Sequence, residues 1–192
     1  MLVVFNKKYP NIRKRLLKPL LFNCNPNIIT FLALLAAMFS GYLFYIDHII
    51  IASFLLLTNG FLDILDGEIA KKFNRQSKLG DFLDHSIDRI ADIFIFFGIA
   101  MNPDIPILLG FVTILFVLLV SYMGTQYQAL TNKRLYGGLF GRSDRILFMF
   151  LFGIGSLFFG KSLYYGVWFV LIMSVITFLQ RFYKSYENIK NM

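Results

Sequence analysis

The sequence predicts an all-α integral membrane protein, and three observations lead to that fold class. Of its 192 residues, 57% are hydrophobic and only 16% are charged, whereas about a quarter of the residues in a soluble domain carry charge. Several apolar runs are long enough to cross the hydrocarbon core of a bilayer as helices. Basic residues concentrate between alternate runs, as they do in multi-pass membrane proteins.

Hydropathy predicts six transmembrane helices in one membrane domain covering residues 1–192. The spans extend over about residues 28–46, 49–70, 81–101, 105–130, 143–160 and 163–183. Residues 1–24 precede them as a basic juxtamembrane segment that mixes Lys and Arg with Leu, Ile and Tyr, which suits a helix lying in the membrane interface. Two prolines interrupt this pattern, so a basic tail is an open alternative. No cleaved signal peptide is predicted, because the first residues are charged.

The distribution of Lys and Arg predicts a cell-membrane protein with both termini in the cytoplasm. Eighteen of the 19 basic residues lie in the N-terminal segment, in or beside two alternate loops, and near the C-terminus, and Lys161 alone is assigned to the opposite side. An excess of Lys and Arg marks the cytoplasmic side. Anionic headgroups of membrane lipids then account for the net charge of +8, and no nucleic-acid partner is implied.

The candidate functional residues are carboxylates concentrated in one segment. Seven of the eleven acidic residues lie between Phe61 and Asp92. One cysteine and two histidines are too few for a disulfide, a cysteine-based metal site or a histidine-rich one. Carboxylates at membrane depth are costly, so their concentration at the cytoplasmic ends of spans two and three suggests a functional site.

Spacing places four of these carboxylates on two facing helices. Asp63 and Asp66 are three positions apart, and Asp84 and Asp88 are four apart, so each pair shares a helix face. A short loop makes the two helices antiparallel neighbours. Four converging like charges need compensation, and all-carboxylate ligands favour Mg²⁺, Mn²⁺ or Ca²⁺.

A second interpretation is that these aspartates are solvated helix ends paired with nearby Lys and Arg. Small residues stand among them, and they either admit a ligand close to the backbone or serve tight helix packing. Of the remaining acids, Asp81 is predicted to cap span three, Asp92 to support Asp88, and Glu68 to be solvated. The small residues are Gly67, Ala70 and Gly80.

Read as a pattern, the segment is Asp63-x2-Asp66-Gly67-x2-Ala70-Lys71-x8-Gly80-x3-Asp84-x3-Asp88. It resembles the signature of the CDP-alcohol phosphotransferases, membrane enzymes that make phospholipids. That family usually has arginine where Lys71 stands, and lysine keeps the charge but loses the bidentate fork. The six-span organisation is also similar, so the resemblance covers nearly the whole chain.

The resemblance implies that an alcohol attacks the lipid-side phosphate of a CDP-linked lipid and that CMP is released. By the same resemblance, two divalent ions, Mg²⁺ or Mn²⁺, bind Asp63, Asp66, Asp84 and Asp88, and Asp88 is also the general base. Family members are often homodimers, so a homodimer is expected. The CDP-lipid-binding residues that it implies are Asn27, Ile28, Ile29, Thr30, Gly67, Ala70, Lys71, Ser77 and Gly80.

A second stretch, residues 121–146, bears on the acceptor alcohol. It is basic, which suits a phosphorylated acceptor, although ordinary cytoplasmic charge explains it equally well. The stretch resembles the inositol-phosphate-accepting branch of the family, and its archaeal members in particular, because Gly124 and Gln126 stand where bacterial members often carry basic residues. That resemblance implies inositol 1-phosphate as acceptor and CDP-archaeol, or otherwise CDP-diacylglycerol, as donor. The implied acceptor-phosphate-binding residues are Ser121, Lys133, Arg134, Arg142 and Arg145.

Two other functions stay open at this point. A glycerol 3-phosphate-accepting synthase would also need a basic pocket. A divalent-cation transporter could line its pathway with acids, but such a pathway needs acids at mid-membrane depth and on the outer side. Here the outer loops carry two, Asp47 and Asp104.

Overall fold

The computed structural model describes residues 21–132 and 138–191, and within them the regular structure is entirely α-helical. This confirms the all-α prediction. The predicted interfacial segment falls almost wholly on residues 1–20, outside the described part of the chain. The helices are α1 (Pro26–Tyr45), α2 (Ile49–Lys72), α3 (Lys78–Ala100), α4 (Ile107–Thr131), α5 (Arg142–Gly155) and α6 (Ser162–Lys190).

The six helices pack as a closed ring. Helix α1 packs on both α2 and α3, α2 continues to α5, and α3 continues to α4. Helices α4 and α5 each pack on α6 and so complete the ring. Because successive helices run in opposite directions, the C-terminal ends of α2 and α4 lie at the same end of the bundle as the N-terminal ends of α3 and α5.

Four of the helices, α1, α2, α4 and α6, are long and apolar enough to cross a membrane. The prediction of six spans is therefore confirmed only in part. Helix α3 carries two of the four signature aspartates, Asp84 and Asp88. Helix α5 ends at Gly155 rather than near residue 160, and its 14 residues cover roughly 21 Å at 1.5 Å per residue, less than the roughly 30 Å of a bilayer core. Helix α6 continues about seven residues beyond the predicted end of the last span.

Two side-chain caps fix where the helices that bear the site begin. Asn25 Oδ1 accepts a hydrogen bond from Asn27 N (3.1 Å) at the start of α1. Ser77 Oγ accepts one from Gly80 N (3.0 Å) at the start of α3. The prediction that Asp81 caps this helix is wrong, because Ser77 has the extended backbone of an N-cap and Asp81 lies within the first helical turn.

Helices α1 and α3 approach closely away from the acidic end. A Cβ atom added to Gly98 would overlap the backbone of Gly41, so the two backbones are in direct contact. Such approaches through small residues are common between membrane helices. Nearby, Asn102 Nδ2 donates to Phe44 O (2.7 Å). These contacts hold α3 against α1 and thereby fix the position of the acids at its other end.

Candidate active site

The first turns of α1 and the last turns of α2 are joined at a signature aspartate. Thr30 Oγ1 on α1 donates a hydrogen bond to Asp66 Oδ2 on α2 (2.6 Å), and both residues are buried. Just beneath them Ile29, Leu65 and Ile69 form a small apolar cluster. The hydrogen bond occupies one carboxylate oxygen of Asp66 and fixes the orientation of the other.

Asp63 on α2 and Asp88 on α3 meet at the guanidinium of Arg142. The Nη1 atom of Arg142 lies 2.8 Å from Asp63 Oδ1 and 2.7 Å from Asp88 Oδ1. Both contacts are ion pairs without hydrogen-bond geometry, and Nη1 is buried. Since the two carboxylates contact the same nitrogen, they are close enough to share one cation, as the sequence predicted for facing helices.

The first turn of α5 delivers Arg142 and Arg145 to this position. Helix α5 begins at Arg142, and Asp144 Oδ2 accepts a hydrogen bond from Gly141 N (3.0 Å) just before it. Arg145 pairs with Asp92 on α3 (2.8 Å), and Arg142 Nε lies 3.2 Å from the other oxygen of Asp92. Asp92 is thus linked to Asp88 through Arg142.

Asp84, His85 and Asp88 form a group that fits a divalent ion. Each offers one ligand atom, and these atoms lie within 4.8 Å of one another. With Asp63 and Asp66 on the facing helix, the set is dominated by carboxylate oxygens, the ligands that Mg²⁺ and Mn²⁺ prefer. The residues present therefore fit the predicted metals.

A cavity of about 450 Å³ opens on one side of the aspartates, between α1, α2 and the start of α3. We refer to it as the donor-side cavity. Asp66 and Asp84 line it. The predicted CDP-lipid-binding residues that it brings together are Asn27, Thr30, Gly67, Ala70, Lys71, Ser77 and Gly80.

Two of the predicted CDP-lipid-binding residues are not on the wall of this cavity. Ile29 packs in the apolar cluster, and the side chain of Ile28 is exposed on the outside of α1. Sequence reasoning in turn missed Arg75, which lines the donor-side cavity and also donates to Cys24 O. Glu68 is not solvated as predicted, since its side chain is only 13% exposed and lies 3.3 Å from Lys71 Nζ.

A second cavity of about 450 Å³, the basic cavity, opens on the other side of α3, towards α4 and α6. Three predicted acceptor-binding residues line it: Ser121, Arg142 and Arg145. The other two, Lys133 and Arg134, lie outside the described residues. The two ends of the stretch 121–146, Ser121 at one end and Arg142 and Arg145 at the other, therefore line the same cavity.

The basic cavity also contains residues that sequence reasoning did not assign to it. Arg89 and His85 enter from α3, and Arg181 enters from α6, where its Nη1 donates to Val120 O. The sequence pattern indicates only that Arg181 is one of the basic residues near the cytoplasmic C-terminus. Arg181 is distant in sequence from residues 121–146, and helical periodicity does not indicate that α6 packs on α4. Its place in the basic cavity could therefore not be predicted from the sequence.

A third cavity, which we call the apolar groove, lies between α2 and α5 and has a volume of about 430 Å³. Its walls are mainly apolar and include Phe61, Ile64 and Ile146. Asp63 and Arg142 close one end. The aspartate cluster therefore adjoins two polar cavities and one apolar groove.

Comparisons with known proteins define the class of this chain. The family model for CDP-alcohol phosphatidyltransferase matches residues 23–179, so the chain belongs to that family. The archaetidylinositol phosphate synthase of Pyrococcus horikoshii is 35% identical over 165 residues, which are 86% of this chain and 85% of that protein. These results confirm the family resemblance drawn from the signature segment.

Solved structures share the fold. The Mycobacterium tuberculosis phosphatidylinositol phosphate synthase with CDP-DAG bound superimposes with a TM-score of 0.76 at 23% identity, covering 90% of each chain. The same enzyme in complex with manganese and citrate gives 0.75 at 23% identity, covering 90% of this chain and 86% of that one. The ring of six helices is therefore a fold that this chain shares with that enzyme.

Proposed function

We propose that this protein transfers the lipid phosphate group of a CDP-activated lipid to inositol 1-phosphate, releasing CMP and forming a phosphoinositol lipid. One observation carries the proposal: the four signature aspartates converge between the donor-side cavity and the basic cavity. This arrangement suits a reaction that joins a cytidine-linked diphosphate to an alcohol that already bears a phosphate.

The donor-side cavity suits the CDP group. The absent side chain of Gly67 leaves backbone accessible there, and a Cβ at that position would meet no protein atom within 4 Å. Lys71 and Arg75 supply positive charge for a diphosphate. The apolar groove ends at Asp63 and suits a chain of the lipid, either archaeol or diacylglycerol. The archaetidylinositol phosphate synthase relative favours archaeol.

Two divalent ions, Mg²⁺ or Mn²⁺, are proposed to bind Asp63, Asp66, Asp84 and Asp88. The manganese complex of the structural neighbour supports this, as does the oxygen-rich ligand set described above. When bound, such ions neutralise the diphosphate and stabilise the charge that develops on the leaving group. Thr30 keeps Asp66 oriented for this role through its hydrogen bond.

The acceptor reaches the aspartates from the basic cavity. Arg142, Arg145 and Arg181 line it and suit the phosphate of the acceptor. The acceptor hydroxyl oxygen attacks the lipid-side phosphorus, the bond from that phosphorus to the bridging oxygen breaks, and CMP leaves. Asp88 takes the hydroxyl proton. Asp88 suits this step because it belongs to the metal-binding group and contacts Arg142, which lines the basic cavity.

We further propose that the chain forms one membrane domain, with all six helices embedded and both termini and the active site on the cytoplasmic side. The basic residues that support this orientation are those of the sequence analysis. The short α5 would then cross only part of the bilayer, with its first turn at the level of the acids. A homodimer is expected by analogy with the family.

The test is CMP release from CDP-archaeol or CDP-diacylglycerol, with Mn²⁺, against inositol 1-phosphate, glycerol 3-phosphate, serine and free inositol. Inositol 1-phosphate should be the best acceptor. Faster release with glycerol 3-phosphate would replace the assignment with the runner-up, and no release with any acceptor would refute it. Asp88→Asn should lower turnover by about 100-fold or more, whereas Asp104→Asn, at an exposed site far along the bundle, should retain it.

A further inference from the structure

Arg142 lies where the basic cavity and the apolar groove meet. Its side chain lines both the basic cavity and the apolar groove, and it contacts aspartates from two helices. The side chain is 12% exposed. Both of these aspartates belong to the predicted metal-binding set.

The nitrogens of the Arg142 guanidinium have different partners. Nε lies 3.2 Å from Asp92 Oδ1, and Nη2 donates to Asn59 Oδ1 (3.3 Å). Neither Asp92 nor Asn59 belongs to the predicted metal-binding set. Nη1 faces Asp63 and Asp88 without hydrogen-bond geometry. One edge of the guanidinium is therefore anchored, while Nη1 contacts oxygens that a metal ion would also use.

A divalent ion and Nη1 compete for these carboxylates. Two cations attracted to the Oδ1 atoms of Asp63 and Asp88 repel each other at such distances. A metal ion bound there weakens the attachment of Nη1 to the carboxylates. Nη1 then has its hydrogen-bonding capacity left for an anion in the basic cavity, which Arg142 already lines.

We infer that Arg142 couples metal binding to acceptor binding: metal displaces Nη1 from Asp63 and Asp88, and the released guanidinium edge binds the acceptor phosphate. This inference rests on the proposed function. It makes Arg142 an acceptor-binding residue that becomes available through metal binding, so the phosphorylated acceptor binds preferentially after the metal.

Coupling of this kind is reciprocal, so it can be measured without turnover. In the absence of CDP-lipid, Mn²⁺ affinity is followed by the loss of the free-ion electron paramagnetic resonance signal, with and without inositol 1-phosphate. We expect each ligand to strengthen binding of the other by about 5-fold or more in the unaltered protein. Direct attraction between the metal ion and the phosphate contributes part of this coupling factor. Variants are therefore needed to measure the part that depends on Arg142.

Arg142→Ala should bind Mn²⁺ more tightly when no phosphate is present, because a competing cation is gone, and its coupling factor should fall. Arg181→Ala is the matched control. Arg181 lines the same cavity from α6, whereas the ion pairs with Asp63 and Asp88 described above are made by Arg142. The Arg181 variant should bind inositol 1-phosphate more weakly with an unchanged coupling factor. Arg142→Gln, which keeps a polar group near Asp92, serves if the alanine variant unfolds.

Three results are decisive. Equal coupling factors in the Arg142 and Arg181 variants would overturn the inference, and so would weaker Mn²⁺ binding in Arg142→Ala. Either result leaves the proposed function standing if CMP release persists in the unaltered protein. Failure of that protein to release CMP with any acceptor would instead refute the proposed function.

Discussion

Asp92 on α3 and Arg145 on α5 form an ion pair of 2.8 Å in which the side chains are only 3% and 2% exposed. Arg142 Nε lies 3.2 Å from the other carboxylate oxygen of Asp92. Asp92 is therefore the carboxylate that ties the first turn of α5 to α3. Because that turn carries two residues of the basic cavity, this pair sets the geometry of the proposed acceptor site.

Asp92→Asn should destabilise the protein strongly. The amide keeps the shape of the side chain but leaves two buried guanidinium groups without their shared counter-charge. Breaking one partner of a buried ion pair costs about 3–5 kcal/mol. We expect a clear fall in the midpoint of thermal unfolding in detergent micelles, followed by intrinsic fluorescence or by a thiol dye that reports Cys24.

Asp104→Asn makes the same chemical change at an exposed position and should leave the midpoint nearly unchanged. Equal midpoints for the Asp92 and Asp104 variants would contradict a structural role for the Asp92 ion pair. If the Asp92 variant is stable but binds inositol 1-phosphate poorly, the carboxylate serves to orient Arg142 and Arg145 more than to hold the helices together.

Local spacing was enough to predict the acidic side of the site. Asp63, Asp66, Asp84 and Asp88 occupy one face each of two helices joined by a short loop, so helical periodicity alone brings them together. The residues of the donor-side cavity were implied by the family resemblance and not by spacing, since Asn27 and Thr30 reach this cavity from α1. The residue that caps α3 was harder to predict, because Ser77 and Asp81 are both residue types that suit a helix start.

The basic cavity depends on contacts distant in sequence. Arg181 reaches it because α6 packs on α4, and no local pattern encodes that neighbour. The length of α5 was also overestimated, since the apolar run continues past Gly155 while the helix stops there. Hydropathy records how apolar a segment is, but it does not record where the backbone leaves the helix.

Thr30→Val should weaken metal binding. The change removes the hydroxyl that donates to Asp66 Oδ2 and keeps the branched shape of the side chain. A partner that orients a metal ligand typically accounts for 10–100-fold in metal affinity. We expect about a 10-fold or larger rise in the Mn²⁺ concentration needed for half-maximal CMP release.

Thr113→Val is the control for this change. Thr113 is also buried, but its hydroxyl donates to Leu109 O within its own helix, α4. The Mn²⁺ concentration that Thr113→Val needs for half-maximal CMP release should match that of the unaltered protein. The same rise in both variants would assign the effect to loss of a buried hydroxyl rather than to the orientation of Asp66.

Lys71 should contribute to donor binding through its charge. It lines the donor-side cavity, and hydrogen bonds to charged groups contribute roughly 1.5–3 kcal/mol. Lys71→Ala should therefore raise the KM for CDP-lipid about 10-fold or more and leave the KM for inositol 1-phosphate nearly unchanged. Lys71→Arg, which restores the residue usual in the family, should lower the donor KM because a planar fork can bind the diphosphate bidentately.

Lys72→Ala is the matched control, since it removes the same charge from the next position. Lys72 Nζ donates to Leu21 O (2.9 Å) and lies over the ring of Phe73, away from the residues that line the donor-side cavity. Its donor KM should change little. If Lys71→Ala and Lys72→Ala raise the donor KM equally, general surface charge attracts the substrate and a specific contact by Lys71 is refuted.

Gly67 and Gly98 should respond in opposite ways to substitution by alanine. A Cβ at Gly67 meets no protein atom within 4 Å, whereas one at Gly98 would overlap the backbone of Gly41. Gly67→Ala should therefore keep its unfolding midpoint but raise the KM for CDP-lipid, because the added methyl group projects where the donor is proposed to bind. Gly98→Ala should lower the midpoint by forcing α1 and α3 apart. An unaltered donor KM in a well-folded Gly67 variant would show that the CDP group does not approach the backbone at this position.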